Sequence, residues 1–348
     1  MQSTEHLNLL ITTYLEPEHI AALRAVSPRL HVIYEPELIP TSRYHGDHYN
    51  SIARTPEQEA RWLALLAEAD ILFDFDPTHR EDLPERAPRV RWVQASSAGI
   101  GQFVRRMRYA ERWPGVLFTT ASGIHAKPLA EFCLMAMLAF AKGLPRMVAD
   151  QRARRWERFA GSELGGRTLG ILGVGKIGAE VARLARALDM RVVGSKRTVA
   201  GVDPASLHLD ALYGPDQLGE LLAQSDFLVI VTPHTDATEQ LLGARELALL
   251  PPGAVLVNIG RGAVLDEGAL AAALASGHLG GAALDVFAAE PLPAESPLWD
   301  APNVLISPHS GSTSARENGR LAELFCENLR RYLAGQPLLN VLDVEQLY

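Results

Sequence analysis

Short apolar runs alternate with helical patterns along almost the whole chain, and this limits the possible folds more than any other feature. Leu7–Leu15, His31–Glu35, Ile71–Phe75, Val90–Ser96 and Gly115–Thr120 read as strands, and Glu18–Val26 and Glu57–Ala69 between them carry Leu and Ala at helical spacing. A second series follows, with strands at Thr168–Leu172, Met190–Gly194, Phe227–Thr232, Ala254–Gly260, Gly281–Phe287 and Asn303–Ser307, and a helix at Ile177–Leu188. Strands joined through helices pair in parallel, with the helices covering both sheet faces. A length of 348 residues exceeds one ordinary core. The expected fold class is therefore α/β, with two Rossmann-like or flavodoxin-like doubly wound parallel-sheet domains.

Three segments stand apart from the alternation. Pro36–Thr55 has no period and holds Tyr44, His45, His48 and Tyr49 around Gly46. It reads as a surface excursion, with a lid or substrate-selecting segment as the sharper alternative. Ala126–Leu144 reads as one long helix, apolar on more than one face and so buried in a core or at a subunit interface. The Arg-rich stretch Arg146–Arg158 after it reads as a solvated helix, and Thr313–Ala334 as a long amphipathic helix near the end.

With 33 basic and 41 acidic residues the net charge is −8, which argues against nucleic acid as a partner. Cys133 and Cys326 lie in helical patterns outside any ligand spacing, so neither a disulfide scaffold nor a metal site is expected, and a reducing compartment fits. Met1–His6 is polar without a basic n-region, and the apolar run Phe132–Ala141 is too short to span a bilayer. The expectation is a cytoplasmic protein with no membrane partner.

Gly173-Val174-Gly175-Lys176-Ile177-Gly178 matches GxGxxG between a strand and a helix. That context makes a common pattern informative. The first glycine allows a tight turn, the second lets backbone approach a pyrophosphate, and the third lets helix and strand pack closely. The helix start then offers amides and a positive dipole end to the phosphates. About twenty residues on, where an NAD site places an acid for the ribose, the chain reads Ser195-Lys196-Arg197. Two cations and a hydroxyl suit a 2′-phosphate, so NADP is expected in preference to NAD, with NAD still possible.

Four further segments are Asn258-Ile259-Gly260-Arg261-Gly262, Leu284-Asp285-Val286-Phe287, Glu290-Pro291-Leu292 and Ser307-Pro308-His309-Ser310-Gly311. In this order and spacing the chain resembles the D-isomer-specific 2-hydroxyacid dehydrogenase family, from about Ser96 to about Leu333. The resemblance implies hydride transfer between NAD(P)H and a small 2-keto acid. It implies Arg261 as the cation for carboxylate and carbonyl oxygen, His309 as the acid/base, and Glu290 as the partner of the second ring nitrogen. It implies cofactor contacts from Thr232, Pro233, Ile259, Gly260, Arg261, Asp285, His309 and Gly311, with Asp285 holding the nicotinamide carboxamide. Ser97-Ala98-Gly99-Ile100 is similar to the family's loop for the substrate carboxylate. There the chain departs from the pattern, carrying Gly101 where members often have an acid, and it departs again at His234 and Ser312.

The resemblance further implies a substrate domain, residues 1–119 with 312–348, and an inserted dinucleotide domain, residues 120–311. A cleft would lie between them, and helices near Ala126–Leu144 would contribute to a homodimer. Two other readings stay open: a phosphite-type dehydrogenase on the same scaffold, and a non-catalytic, NAD(P)-sensing corepressor-like protein.

Overall fold

A computed structural model describes residues 6–48 and 50–347; Met1–Glu5 and Tyr49, which figured in the readings above, lie outside the described residues. Backbone contacts divide the chain into two compact units: one runs to Ile124 and resumes at Thr313, and the other is His125–Ser312.

The first unit holds β1 (Leu7–Ile11), β2 (Leu30–Ile33), β3 (Ile71–Phe73), β4 (Trp92–Gln94) and β5 (Leu117–Thr119), in the order β2-β1-β3-β4-β5 with parallel pairing. This is the flavodoxin-like order. Each of these strands stops one to four residues before its expected end, because the carboxyl ends turn out of the sheet. Asp74 takes a left-handed conformation (φ 68) immediately after β3. Thr12, just past β1, sends its hydroxyl to the Phe73 and Phe75 carbonyls at 2.9 and 3.3 Å. Both sheet faces are covered: Leu10, Leu72 and Val93 lie on one with Trp62 and Tyr109, and Leu9, Ile71, Phe73 and Trp92 on the other with Phe325.

Trp92 anchors the second of these faces. It is fully buried, its ring 5.2 Å from Phe325 and 5.3 Å from Tyr332. Its indole N–H donates to the Thr119 hydroxyl at 2.8 Å, which donates to Gln94 Oε1 at 2.9 Å. Trp92→Ala removes that packing and strands the acceptor. It is expected to cost about 3–5 kcal/mol, read as a lower denaturation midpoint in urea. A loss below about 1 kcal/mol would mean that the face is held by other residues.

The second unit holds β6 (Thr168–Leu172), β7 (Arg191–Ser195), β8 (Ala211–Tyr213), β9 (Phe227–Ile230), β10 (Ala254–Asn258), β11 (Leu279–Leu284) and β12 (Val304–Ile306). Their order is β12-β11-β10-β9-β6-β7-β8, again parallel. The edge strand β8 has no counterpart among the expected strands. It is three half-buried residues long, too short for a pattern. The expected helix Ala126–Leu144 divides at Gly143, which has φ 70 and is followed at Leu144 by Pro145. Ala126–Ala141 and Leu144–Arg152 are separate helices bent by 62°. Residues 153–158 of the Arg-rich stretch are not helical. The last helix is Glu317–Leu333, starting later than Thr313. No single helix among the described residues is long and apolar enough to cross a membrane.

Candidate active site

The second sheet changes its winding direction between β6 and β9. From β6 the chain builds β7 and β8 on one side, then returns to build β9 to β12 on the other. Ligands of such sheets bind beyond the carboxyl ends at this switch point. Gly173–Gly178 leaves β6 there, and Val231-Thr232-Pro233 leaves β9. Gly173 has φ 97, and a Cβ on it would stand 2.7 Å from Thr232 Cγ2 and 3.0 Å from the Thr232 backbone nitrogen. Only glycine lets the two loops meet so closely. The Gly173 and Val174 amides donate to the Ser195 carbonyl at 3.2 and 2.8 Å, tying the turn to the end of β7.

Gly175 precedes the helix Lys176–Arg186, which has no side-chain cap and no acid in its first turn. Among the described residues nothing lies within 4 Å of a Cβ placed on Gly175, so this backbone faces open space. Gly178 lies against the Gly173 carbonyl and closes the turn, with Lys176 and Ile177 between. Beside the turn the Thr232 hydroxyl is buried with no hydrogen-bond partner among the described residues. An open glycine cradle at a helix start and an orphaned hydroxyl next to it fit a phosphorylated dinucleotide. Ser195 is buried at the end of β7. The Lys196 ammonium donates to the Val174 carbonyl at 3.3 Å and so stands over the turn, and Arg197 beside it is exposed.

The loops after β10, β11 and β12 carry the candidate side chains Arg261, Glu290 and His309. Asn258, fully buried, clamps the turn after β10: its Oδ1 accepts from the Gly260 amide at 3.1 Å and its Nδ2 donates to the Arg261 carbonyl at 3.2 Å. Ile259 is buried, and its amide donates to the Ile230 carbonyl at 3.1 Å. Gly260 lies against the Thr232 carbonyl. Arg261 follows, half-buried, with Nη1 donating to the Gly260 carbonyl at 2.7 Å.

After β12 the chain reaches His309, which has φ 53. Its Nδ1 lies 2.9 Å from Glu290 Oε2, while Glu290 Oε1 accepts from the Phe287 amide at 3.0 Å. The side chains of His309 and Glu290 are 47% and 37% exposed, so the pair can meet a ligand. Burial works against ionisation of Glu290, but the His309 hydrogen bond, the Phe287 amide and the charges of His309 and Arg261 together hold its carboxyl below the usual range. Arg261, Glu290 and His309 thus form one electrostatic group.

Asp285 at the end of β11 is buried, and burial pushes its carboxyl above the usual range despite its hydrogen bonds. Its Oδ1 accepts from the Ser307 hydroxyl at 2.5 Å and from the Ser310 and Gly311 amides at 2.8 Å each. The carboxyl therefore binds the two flanks of His309. Asn258 and Ser307 were visible only as members of motifs, and their supporting roles come from these contacts. His234 bonds Glu239 within its own loop.

In the first unit, Ser96 after β4 is held by Asp74, Oγ to Oδ2 at 2.5 Å. Ser97-Ala98-Gly99-Ile100 follows, with Gly99 exposed, its amide donating to Ser97 Oγ at 3.3 Å, and Ile100 buried. Within Pro36–Thr55, Pro36–Leu38 forms one helical turn, and His48 Nδ1 lies 2.9 Å from the Thr13 hydroxyl. His45 lies 3.6 Å from Glu16. Among the described residues no three His, Cys, Asp or Glu side chains are placed to hold a metal ion.

A family model described as "D-isomer specific 2-hydroxyacid dehydrogenase, NAD binding domain" matches residues 134–311. The chain is 36% identical over 296 residues to a glyoxylate reductase of Aeropyrum pernix, covering 81% of this chain and 85% of that one. It is 37% identical over 276 residues to glyoxylate/hydroxypyruvate reductase B of Pectobacterium atrosepticum, covering 77% and 83%. The fold is similar to the crystal structure of a D-isomer specific 2-hydroxyacid dehydrogenase from Xanthobacter autotrophicus Py2 in complex with NADPH and MES. That likeness has a TM-score of 0.77 at 31% identity and covers 99% of this chain and 100% of the other.

Proposed function

Since the chain belongs to the D-isomer specific 2-hydroxyacid dehydrogenase family, we propose that Arg261, Glu290 and His309 are its catalytic set and that it reduces small 2-keto acids with NADPH in preference to NADH. The observation that carries the proposal is the 2.9 Å contact of His309 with Glu290 under the charge of Arg261. A bound nicotinamide supplies the hydride that C2 of the keto acid receives. Arg261 draws the carboxylate and the carbonyl oxygen into one fork and stabilises the charge that grows on that oxygen. His309, held by Glu290 through Nδ1, turns Nε2 to the same oxygen and gives up its proton there. The product is the 2-hydroxy acid, and the ring is left neutral beside Glu290.

Ser97, Ala98, Gly99 and Ile100 would meet the substrate carboxylate. Gly173, Gly175, Lys176, Ile177 and Gly178 would cradle the pyrophosphate. Thr232, Pro233, Ile259, Gly260 and Gly311 would line the nicotinamide end. Asp285 spends Oδ1 on the His309 loop, and its Oδ2, which takes part in none of those bonds, is the atom for the carboxamide.

Ser195, Lys196 and Arg197 would bind the 2′-phosphate. The reach of Lys196 over the glycine turn supports this reading. The test is loss of reduced-nicotinamide absorbance with glyoxylate, hydroxypyruvate and pyruvate. NADPH should be preferred over NADH by about tenfold or more in kcat/KM. Lys196→Ala should raise the KM for NADPH by about 10- to 100-fold and leave that for NADH almost unchanged, as loss of one charge-assisted hydrogen bond requires. Preference for NADH would overturn the cofactor assignment. Failure with every keto acid, with cofactor still bound, would move the reading to phosphite oxidation or cofactor sensing.

A further inference from the structure

We propose that the segment 338–347, which follows the last helix, is a strap that sets the shape of the Ser97–Gly101 loop, with Asn340 and Gly101 as positioning residues for the keto acid. This rests on Ser97–Ile100 being the carboxylate loop. The strap is rooted in the core. Asn328, fully buried in the last helix, accepts from the Leu339 amide at 2.8 Å and donates to the Leu339 carbonyl at 3.1 Å.

One end of the loop is reached through Asn340. This residue has φ 58, and its carbonyl accepts from the Thr120 amide at 2.9 Å. Its side-chain amide donates to the Ser122 carbonyl at 2.8 Å and the Thr120 carbonyl at 3.3 Å. Between those residues the Ala121 amide donates to the Ser97 carbonyl at 3.1 Å. The first residue of the loop therefore hangs on a turn that Asn340 clamps from both sides.

The other end is reached directly. Val341 bridges Thr119, and the Leu342 amide donates to the Phe118 carbonyl at 2.8 Å. Leu342 is buried in the same apolar cluster as Ile100, Val104 and Phe118. Asp343 then turns the chain back: its Oδ1 accepts from the Glu345 and Gln346 amides at 3.0 and 2.9 Å, and its carbonyl accepts from the Leu347 amide at 2.7 Å. This brings the Leu347 carbonyl onto Gly101. A Cβ at Gly101 would stand 1.9 Å from the Leu347 oxygen and 2.5 Å from its carbonyl carbon. The glycine that replaces the family's acid thus fits a place already filled by the strap. Any side chain there must push the strap away or displace the loop next to it.

A purely adhesive strap would change stability alone, so the test separates positioning from adhesion. KM for glyoxylate, KM for NADPH, and amide exchange of a peptide covering residues 97–101 are measured for five full or shortened chains. These are wild type, Asn340→Ala, Gly101→Asp, and Gly101→Asp in a chain ending at Asp343, compared with that shortened chain alone. In the full chain Gly101→Asp should raise the KM for glyoxylate about tenfold or more, with the KM for NADPH within about twofold, as expected from a small displacement of a substrate-positioning loop. The same substitution should cost much less in the shortened chain, where the carbonyl it strikes is gone. Asn340→Ala should speed exchange at 97–101. Equal cost in both backgrounds, an equal rise for NADPH, or unchanged exchange would each overturn the proposal. If wild type reduces no keto acid, the proposed function fails, and the exchange comparison still decides the strap.

Discussion

Arg261→Ala is expected to lower kcat/KM for a 2-keto acid by about 10³-fold while NADPH binding stays nearly intact. The magnitude follows from what the guanidinium is asked to do. It makes charge-assisted hydrogen bonds to a carboxylate and to a carbonyl oxygen gaining charge, each worth about 1.5–3 kcal/mol. Two such contacts, one strengthening in the transition state, amount to about three powers of ten. The fork is held ready, since Nη1 is bonded to Gly260 and the turn is clamped by buried Asn258. Arg261→Lys should recover only part of the loss, because an ammonium keeps the charge and loses the planar fork. Steady-state kinetics with a fluorescence titration of NADPH separate the effects. A variant impaired only in NADPH affinity would reassign Arg261 to the cofactor.

How far such a site can be read from sequence depends on whether its parts are local. The glycine turn is local: a strand, three glycines and a helix are contiguous, and the structure has Gly173 at φ 97 and Gly175 facing open space. Every strand position but that of half-buried β8 was also legible, because buried parallel strands are continuous apolar runs. Several of their ends were not, since apolar residues recur beyond the ladder, as at Leu15 and Phe75, after the backbone has already turned out at Thr12 and Asp74. The break of the expected helix at Gly143–Pro145 was written in the residues, but an unbroken apolar pattern obscured it. Glu290 and His309 could be paired beforehand only through family resemblance, because nothing in a single sequence says that residues 290 and 309 touch. The strap shows the same limit more severely. Asn340 and Gly101 are single residues without periodicity, and in sequence Gly101 is only a departure from a pattern, whereas in the fold the Leu347 carbonyl lies against it.

The second large effect concerns the proton. His309→Gln should lower kcat for reduction by about 10²–10⁴-fold, the usual worth of a positioned acid/base, with KM for NADPH little changed. Glu290→Gln is the sharper variant, since it keeps a hydrogen-bond acceptor 2.9 Å from Nδ1 and removes the charge. The Glu290 carboxyl is held low by the His309 hydrogen bond, the Phe287 amide and the charges of His309 and Arg261, so it stands as the negative partner of the ring. Reduction starts from the ring that carries the proton and gains from that charge, so Glu290→Gln should lower its kcat by about tenfold or more. Oxidation starts from the free ring, so the variant should lose less in that direction, and its ratio of oxidation to reduction should rise. Stability should move with a definite sign as well. Because the folded-state pKa of Glu290 is depressed, its contribution is present above the unfolded pKa and lost as pH falls through the folded one. The wild type should therefore lose stability faster than Glu290→Gln on acidification through that window. kcat in both directions, with denaturant midpoints across that pH window, decides the matter. Equal losses of kcat in the two directions would show that Glu290 orients the ring without stabilising its charge.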